Sequence, residues 1–435
     1  MKHRVVATSA LSTESGEPLA CYGRWRDALQ LDEALLLVDF SLSTPWLGQM
    51  QQISLTAIYC VCDNSVRVAV TDQLLVADTS LSPQAQYLDW VSAHQLVDAD
   101  PQAPLRLATQ TIDKPWGQEI WYTAMERRGV CNFVAGKAAT PIPWLQAVLP
   151  GAVAGEPGQP LVLLKILDPS PQPVLGDLYF ELHEAKREAY VVTGINRQAW
   201  PDGIGYIRYG FDPLKIASCP SPEAFRQEYL NAVTAYERQR RLLDTLTAEG
   251  KTPSSAQVAT ERQLREHMDS YTAMRPVQKS DVVRVPVLLP HALQHGVRVI
   301  EFQTPTYERK IVSFAQKVLT QDHWDSQEAV VSMLLEPPAE PAPVHRPSPE
   351  GITIEQIVDF PDFEVERVTM VRGARWLPGA SSTYRLLIVL EGELTLAGVV
   401  YAAEQAVLVP SQWQGELLAS QAAPSLAFLL ARPNC

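Results

Sequence analysis

Short runs of apolar residues, separated by polar turns, dominate the first hundred or so residues and are typical of β-strands. Three of these runs, Leu35–Phe40, Ile53–Tyr59 and Val66–Val70, combine branched and aromatic side chains and are predicted to be strands. The segment Pro83–His94 could form a short helix. We therefore predict a β-rich N-terminal extension over residues 1–105, whose role is left open among packing, dimer formation and partner binding.

A helical pattern interrupts the region of residues 106–333. Ser221-Pro222-Glu223 combines a capping residue, a proline at the first helical position and an acidic residue, which predicts a helix start. Apolar residues then recur at helical spacing up to Gly250, which predicts the helix end. A second helix is predicted from Ser255 to Met274. The two helices indicate a helical insertion over residues 216–274 within a β-rich domain.

Proline marks the next boundary. Residues 336–343 read Glu-Pro-Pro-Ala-Glu-Pro-Ala-Pro, which is typical of a semi-rigid linker, and we place this linker over residues 334–350. After it, Tyr384–Leu396 has the pattern of a strand, a turn and a second strand. The chain is therefore predicted to be mainly β, with its last domain over residues 351–435.

Composition narrows the class of protein. The chain has 435 residues, of which 46% are hydrophobic and 20% are charged, as in an ordinary soluble protein of two or three domains. A formal net charge of −13 argues against a nucleic-acid partner. No apolar run is long enough for a membrane span, and Met1–Ala7 lacks the apolar core of a secretion signal. Because the six cysteines are also scattered, we expect a cytoplasmic protein.

Carboxylates and imidazoles cluster in one short segment. Glu181 and His183 stand two residues apart, so on a strand their side chains point to the same face. Residues 184–187 are polar or small, and we predict a four-residue hairpin loop that places His183 opposite Glu188. His291, which follows an apolar run, can add a fourth ligand. This set predicts one divalent metal site, for which zinc is the best match and manganese, iron or nickel are compatible; a polar barrel mouth without metal is the alternative.

These residues carry a resemblance to a known family. The first cupin motif is resembled by Gly176, Glu181, His183, Glu188 and Gly194, and the second by Pro286 and His291. Further segments are similar, in the same order, to the zinc-dependent mannose-6-phosphate isomerases of type I. They are Lys114–Gly117, Leu163–Asp168, Glu181–His183, Lys186–Glu188, Pro290–Leu293, and Val299–Gln303 followed by Arg309.

The resemblance implies two cupin (jelly-roll) barrels. The first, over residues 106–333, would carry the metal site. The second, over residues 351–435, would be structural, because His345 is the last histidine of the chain. Two departures from the family stand out: Glu181 occupies the place of the usual glutamine, and the long loop that the family inserts before the glutamate matched by Glu188 is missing.

The resemblance also implies an activity, the interconversion of an aldose and a ketose that carry a phosphate, as between mannose 6-phosphate and fructose 6-phosphate. A bound zinc ion would act as a Lewis acid on the sugar oxygens. Arg309 would offset the negative charge that develops during the reaction, and Lys186 is the candidate pocket or phosphate cation. The proton-transferring base is left unassigned, with Glu301 and Glu184 as the candidates.

Two other classes of function fit the same residues. One is a cupin without isomerase activity that binds a metal and a sugar or sugar phosphate in a regulatory or binding role, a reading that Glu181 and the short loop favour. The other is a different metal-dependent cupin enzyme, such as an epimerase or a dioxygenase. The fold alone cannot choose among these functions. The oligomeric state is also left open.

Overall fold

The secondary structure of the chain is dominated by strands. The computed structural model describes residues 10–47, 50–62, 65–78, 80–318 and 321–434. Within this part of the chain strand residues outnumber helical residues, so the predicted mainly β class is confirmed. Met1–Ala7, on which the expectation about a secretion signal rests, lies outside the described residues. No helix in the described ranges has both the length and the apolar character that a membrane span needs.

The helices range from a single turn to more than seven turns. In chain order they are α1 (Pro18–Ala28), α2 (Pro83–Ala93), α3 (Ile142–Gln146), α4 (Gly151–Ala154), α5 (Pro213–Ser218), α6 (Pro222–Ala248), α7 (Ser255–Asp269) and α8 (Ser326–Ser332), with a 3₁₀ turn at Pro45–Leu47.

The strands are mostly short. Up to the helical insertion they are β1 (Leu11–Ser15), β2 (Glu33–Ser43), β3 (Gln52–Cys62), β4 (Ser65–Thr71), β5 (Leu105–Leu107), β6 (Gln110–Lys114), β7 (Gly117–Trp121), β8 (Met125–Glu126), β9 (Gly129–Val130), β10 (Asn132–Ala135), β11 (Ala138–Pro141), β12 (Leu163–Pro169), β13 (Phe180–Leu182), β14 (Glu188–Ile195) and β15 (Gly205–Phe211). After it they are β16 (Thr272–Val277), β17 (Val282–Val285), β18 (His291–Leu293), β19 (Val297–Gln303), β20 (Lys310–Ser313), β21 (Val344–Arg346), β22 (Ile352–Asp359), β23 (Phe363–Val371), β24 (Arg375–Trp376), β25 (Arg385–Glu391), β26 (Leu394–Leu396), β27 (Val399–Tyr401), β28 (Ala406–Val409), β29 (Leu417–Ala419) and β30 (Ser425–Pro433).

The chain folds into two compact units. The first unit contains the described residues up to Gln110, Tyr122–Leu163 and the described residues from Pro343 onward; the second contains Thr111–Trp121 and Leu164–Ala342. These boundaries do not coincide with the predicted domains, because residues 122–163 join the unit that holds the C-terminal region. The cause is strand pairing, since β5, β10 and β11 belong to the same sheet as β28 and β25.

The second unit is a sandwich of two sheets. One sheet has the order β17-β14-β19-β12-β7-β6, and the other has the order β16-β15-β18-β13-β20. Apolar side chains of both sheets meet in one core, with Tyr190, Val285 and Val299 from the first sheet and Ile207 and Leu293 from the second. Side chains on the inner faces of the two sheets therefore point toward each other, and polar residues on these faces can meet between the sheets.

The predicted helical insertion connects β15 and β16 of this sandwich. Helix α6 starts directly after Ser221, whose side chain accepts the N–H of Ala224, and its last residue lies just before Gly250, which has a positive φ of 73°. Helix α7 ends at Asp269, so its predicted end at Met274 is wrong. Met274 lies in β16, because residues 272–277 pair with β15 and this pairing overrides the helical pattern.

The N-terminal region follows the predicted pattern. The three predicted strands are present as β2, β3 and β4, in a sheet of order β1-β2-β3-β4, and the predicted helix is α2. Tyr87 and Trp90 of α2 pack against Leu35 and Ile58 of the sheet. Strand β1 was not predicted; it pairs in parallel with β2, and α1 makes the connection.

The rest of the first unit contains a second pair of sheets, built from C-terminal strands together with β5, β10 and β11. Their strand orders are β11-β10-β5-β28-β25-β30-β23-β22-β21 and β24-β29-β26-β27, while β8 and β9 form a separate two-stranded ribbon. Val389 and Phe428 of the larger sheet share a core with Leu394 and Leu417 of the smaller one. The predicted linker over residues 334–350 is wrong in one part, because it contains β21, which pairs with β22.

Candidate metal centre

The four predicted ligands come from both sheets of the second unit. Glu181 lies on β13, His183 directly follows it, His291 begins β18, and Glu188 begins β14 in the opposite sheet. The predicted hairpin between His183 and Glu188 is therefore wrong. The loop of residues 184–187 crosses from one sheet to the other, because Glu181 pairs with His291 while Glu188 pairs within its own sheet.

Three of the four side chains nevertheless converge. His183, Glu188 and His291 each offer a ligand atom, and these atoms all lie within 4.8 Å of one another. His183 Nε2 is 3.3 Å from Glu188 Oε1, and His291 Nε2 is 3.1 Å from Glu188 Oε2. All three side chains are almost fully buried. His183 directly follows β13 and His291 begins β18, which are neighbouring strands of one sheet, and Glu188 reaches them from the sheet that faces it.

The protonation states of this group suit a divalent cation. Burial and the nearby charge of Lys186 lower the pKa of His183, so its imidazole is neutral. Burial alone would raise the pKa of Glu188, but Lys186 and the two histidines hold this pKa well below its usual value. Neutral imidazole and ionised carboxylate are the forms that coordinate metals. In addition, His183 Nε2 is buried and finds no hydrogen-bond partner among the described residues, and a bound cation would satisfy it.

Hydrogen bonds orient all three side chains. His183 Nδ1 lies 3.0 Å from the carbonyl oxygen of Glu308, and His291 Nδ1 lies 3.0 Å from the carbonyl oxygen of Leu289. When Nδ1–H donates to a carbonyl, the Nε2 lone pair of each ring is directed at the centre. Tyr190 donates to Glu188 Oε2 at 2.6 Å. The residues present therefore fit a metal site of two histidines and one carboxylate.

The fourth predicted ligand, Glu181, is outside this group of three. Its Oε2 lies 3.5 Å from Arg309 Nη1, and its Oε1 lies 3.9 Å from His183 Nε2. Burial alone would raise the pKa of Glu181, but Arg309, His183 and Lys186 together lower it below its usual value. Arg309 also lies over the ring of Tyr179, 4.6 Å from the ring centre. The structure thus brings the predicted pocket arginine to the site and gives it Glu181 as a counter-ion.

The other predicted cation, Lys186, is at the centre itself. Its Nζ is 2.9 Å from Glu188 Oε1, and the residue is only 7% exposed. A cation so close to the carboxylate stabilises the ionised form of Glu188. Lys186 and Arg309 therefore place two positive charges beside the group of three possible ligands.

A row of charged side chains on the six-stranded sheet was largely missed by the sequence reasoning. Lys165 Nζ lies 3.2 Å from Glu301 Oε2, and Lys114 Nζ lies 3.1 Å from Glu119 Oε1. Trp121 donates its indole N–H to Glu119 Oε2 at 2.6 Å. Both oxygens of Glu301 are buried without a hydrogen bond among the described residues, although Lys165 offsets its charge. These groups extend the polar interior of the sandwich beyond the predicted ligands.

The sequence does contain a sign that two of these residues, Lys165 and Glu301, are unusual. Lys165 in β12 and Glu301 in β19 each have apolar residues directly before and after them. A charge in the middle of a buried strand needs a partner or a function. Of the two candidate bases, Glu301 is buried in the sandwich, whereas the side chain of Glu184 is 50% exposed and pairs with Lys310.

We expect Glu119→Gln to make the stability of the chain less dependent on acidity. Burial alone would raise the pKa of Glu119, but Lys165 and Lys114 lower it to about 2 from the model-peptide value of 4.5. The stabilisation is therefore fully present above pH 4.5 and is lost as the pH falls toward 2. It amounts to roughly 3 kcal/mol at about 1.4 kcal/mol per pKa unit.

Urea unfolding of wild type and Glu119→Gln at several pH values in this window would measure the difference. Glu328→Gln is the matched control, because that side chain is 74% exposed and surface pairs contribute little. Equal slopes of unfolding free energy against pH for wild type and Glu119→Gln would show that Glu119 does not contribute in this way.

The sequence of this chain matches no family model and no curated protein. Solved structures do match. Mannose 6-phosphate isomerase from Bacillus subtilis aligns with a TM-score of 0.55 and 15% identity, over 76% of this chain and 100% of its own. The apo form of the Salmonella typhimurium enzyme aligns with a TM-score of 0.53 and 15% identity, over 75% of this chain and 98% of its own.

A third match holds the metal that the sequence predicted. It is a zinc-bound mannose 6-phosphate isomerase, with a TM-score of 0.53 and 15% identity, over 75% of this chain and 99% of its own. Identity at this level establishes a common fold and leaves the reaction to be argued from the site. The chain has the cupin fold of the mannose 6-phosphate isomerases, as its motifs predicted.

Proposed function

We propose that this chain is a metal-dependent aldose–ketose isomerase acting on a phosphorylated sugar, with mannose 6-phosphate and fructose 6-phosphate as the first pair to test. The observation that carries the proposal is the buried group of His183, Glu188 and His291 with Lys186 and Arg309 beside it. A cation and two basic side chains suit a substrate that is an anion and gains charge during the reaction. The similar solved structures are named as mannose 6-phosphate isomerases, which supports this choice. We also propose that the two pairs of sheets are the two predicted cupin barrels.

His183, Glu188 and His291 would hold the divalent cation, and zinc is the proposed metal because a structural neighbour is zinc-bound. Two imidazoles and one carboxylate are also a ligand set of catalytic zinc sites that keep a position open for substrate or water. When bound, the cation supplies Lewis-acid polarisation of a sugar oxygen. The hydrogen bonds of His183 Nδ1 and His291 Nδ1 to carbonyl oxygens keep both rings oriented to bind the cation.

Arg309 and Lys186 would act on the charge of the substrate. Isomerisation moves a proton between C2 and C1 of the open-chain sugar. During this transfer, negative charge develops on the sugar oxygens at these two carbons. Arg309 is held between the Tyr179 ring and Glu181, so its guanidinium is oriented before substrate arrives. Preoriented charge of this kind stabilises a transition state more than a mobile side chain does. Lys186 is the second cation for substrate oxygens or phosphate.

Glu301 is the proposed proton-transferring group. Burial raises the pKa of Glu301 well above its usual value, although Lys165 at 3.2 Å opposes this effect. A carboxyl group whose pKa is moved toward neutrality can both accept and return a proton. Glu184 is less suitable, because it is half exposed and paired with Lys310.

The decisive experiment is a coupled assay for fructose 6-phosphate formed from mannose 6-phosphate, with metal-free protein and with added zinc. We expect activity that depends on zinc. Manganese, iron and nickel should be tried in the same format, because sites containing carboxylates select poorly among these ions. If no phosphorylated aldose reacts with any of these metals present, the isomerase proposal fails.

A second candidate function is a cupin that binds a metal and a sugar or sugar phosphate without converting it. One observation favours it: Glu181 already neutralises Arg309, which leaves less positive charge for the reaction. Titration calorimetry with sugars and sugar phosphates separates the two functions, because a binding protein would bind them with measurable heat and show no turnover.

A further inference from the structure

A residue distant in sequence holds the loop that crosses between the two sheets at the metal centre (residues 184–187). Glu308 Oε1 accepts hydrogen bonds from the backbone N–H groups of Glu184, Ala185 and Lys186, at 2.5, 2.6 and 3.3 Å. Three consecutive amide donors that face one point form a concave site for an anion. A single carboxylate oxygen fills this site, and it comes from a residue 124 positions beyond the first donor.

The backbone of the same residue contacts a metal-ligand candidate. His183 Nδ1 lies 3.0 Å from the carbonyl oxygen of Glu308 and 3.9 Å from its Oε2. The contacts form a closed circuit. It runs from His183 along the chain to the loop amides, and from these amides to the Glu308 carboxylate. The Glu308 carbonyl then connects back to the His183 imidazole. Because this circuit is closed, a shift of the loop also moves the Glu308 carbonyl, which accepts the hydrogen bond of the His183 imidazole.

We propose that Glu308 is a positioning residue of the metal centre, whose carboxylate fixes the crossing loop and thereby the placement of His183 Nε2 relative to Glu188. The inference rests on the metal centre proposed above. Without the carboxylate, three amide donors lose their acceptor. The loop is then tied to the Glu308 segment more weakly, through the contacts of Arg187 with Thr304 and of Glu184 with Lys310. The metal ligands must then be brought into place when the metal binds, and this cost weakens the affinity for the metal. Loss of groups that orient metal ligands typically costs about 10- to 100-fold in affinity.

Titration calorimetry of the full chain with zinc tests this inference. We expect Glu308→Ala to bind zinc about 10- to 100-fold more weakly than wild type. Glu308→Gln should lie in between, because its amide oxygen can still accept the loop N–H groups but carries no charge. Glu184→Ala is the matched control. It removes the same charge from the loop itself, and that side chain faces Lys310 at 2.8 Å rather than the amide site.

A second measurement separates positioning from a general loss of stability. The ¹⁵N shifts of the His183 ring in metal-free protein report which nitrogen carries the proton. Wild type and Glu184→Ala should show the Nδ1–H form, and Glu308→Ala should show a mixture of both forms. If Glu308→Ala does not fold, Glu308→Gln, which keeps the size and an acceptor oxygen, provides the same comparison.

The outcomes distinguish this inference from the proposed function. Wild type that binds zinc while Glu308→Ala binds it equally well, with an unchanged His183 ring, overturns the positioning role alone. Equal weakening in Glu308→Ala and Glu184→Ala also overturns it, since the loss would then follow charge and not the amide contacts. Wild type that binds no metal overturns the metal centre and the positioning role together.

Discussion

Zinc should raise the melting temperature of the wild-type chain and leave that of His291→Ala unchanged. His291 is one of three side chains whose ligand atoms lie within 4.8 Å of one another, and it contacts Glu188 at 3.1 Å. Its removal leaves one histidine and one carboxylate, too few to hold zinc against water. At zinc about 100-fold above Kd, binding stabilises the folded chain by about 2.7 kcal/mol, and this gain should vanish in the variant. Thermal unfolding with and without zinc, together with elemental analysis, measures both effects.

His183→Ala should behave in the same way, because the Nε2 of His183 is buried and has no hydrogen-bond partner among the described residues. His345→Ala is the control, since that side chain is 71% exposed and lies far along the chain from the site. Metal-free melting temperatures of all variants separate loss of folding from loss of metal. A wild-type chain that purifies without metal, and shows no shift with zinc, manganese or nickel, would contradict the metal centre.

Arg309→Ala should reduce isomerase turnover by roughly 10²- to 10³-fold and leave the metal content unchanged. The reason is that Arg309 contacts Glu181 and the Tyr179 ring but is outside the group of possible metal ligands. Its effect should therefore appear in kcat, where charge that develops only in the transition state is measured. Steady-state kinetics on mannose 6-phosphate and elemental analysis of the same preparations provide the two readouts.

Lys310→Ala is the matched control for Arg309→Ala. It removes a positive charge from the neighbouring residue, whose side chain pairs with the half-exposed Glu184. Glu181→Gln tests the counter-ion directly: it should keep the metal and bind an anionic sugar phosphate at least as well, because Arg309 is then no longer neutralised. An Arg309→Ala enzyme with normal turnover would remove the arginine from the proposed mechanism.

Local sequence patterns predicted the bounds of an element best where residues close by in the chain determine those bounds. Ser221 caps α6 as expected, since a cap depends only on the next few residues. The end of α7 could not be predicted in the same way. Residues 272–277 are strand β16 because β15 is available to pair with them, and that partner lies far away in sequence.

The site illustrates the same division between local and distant information. The spacing of Glu181, His183 and Glu188 identified candidate ligands, but it predicted a hairpin that does not exist. The correct partner strands depend on long-range pairing, which the residues of the loop do not encode. For the same reason Glu308 carried no sequence signal: its role arises only where its segment meets the crossing loop.

The sequence by itself determined the chemistry that the chain can offer, namely which side chains can bind a metal, which are cationic, and which segments prefer strand or helix. These properties belong to single residues and short stretches. Only the tertiary structure decided that Glu181 faces Arg309 and that His183, Glu188 and His291 share one centre. Glu181 meets Arg309 because β13 pairs with β20, which begins directly after Arg309. Glu188 reaches the two histidines because the two sheets pack face to face over a shared apolar core.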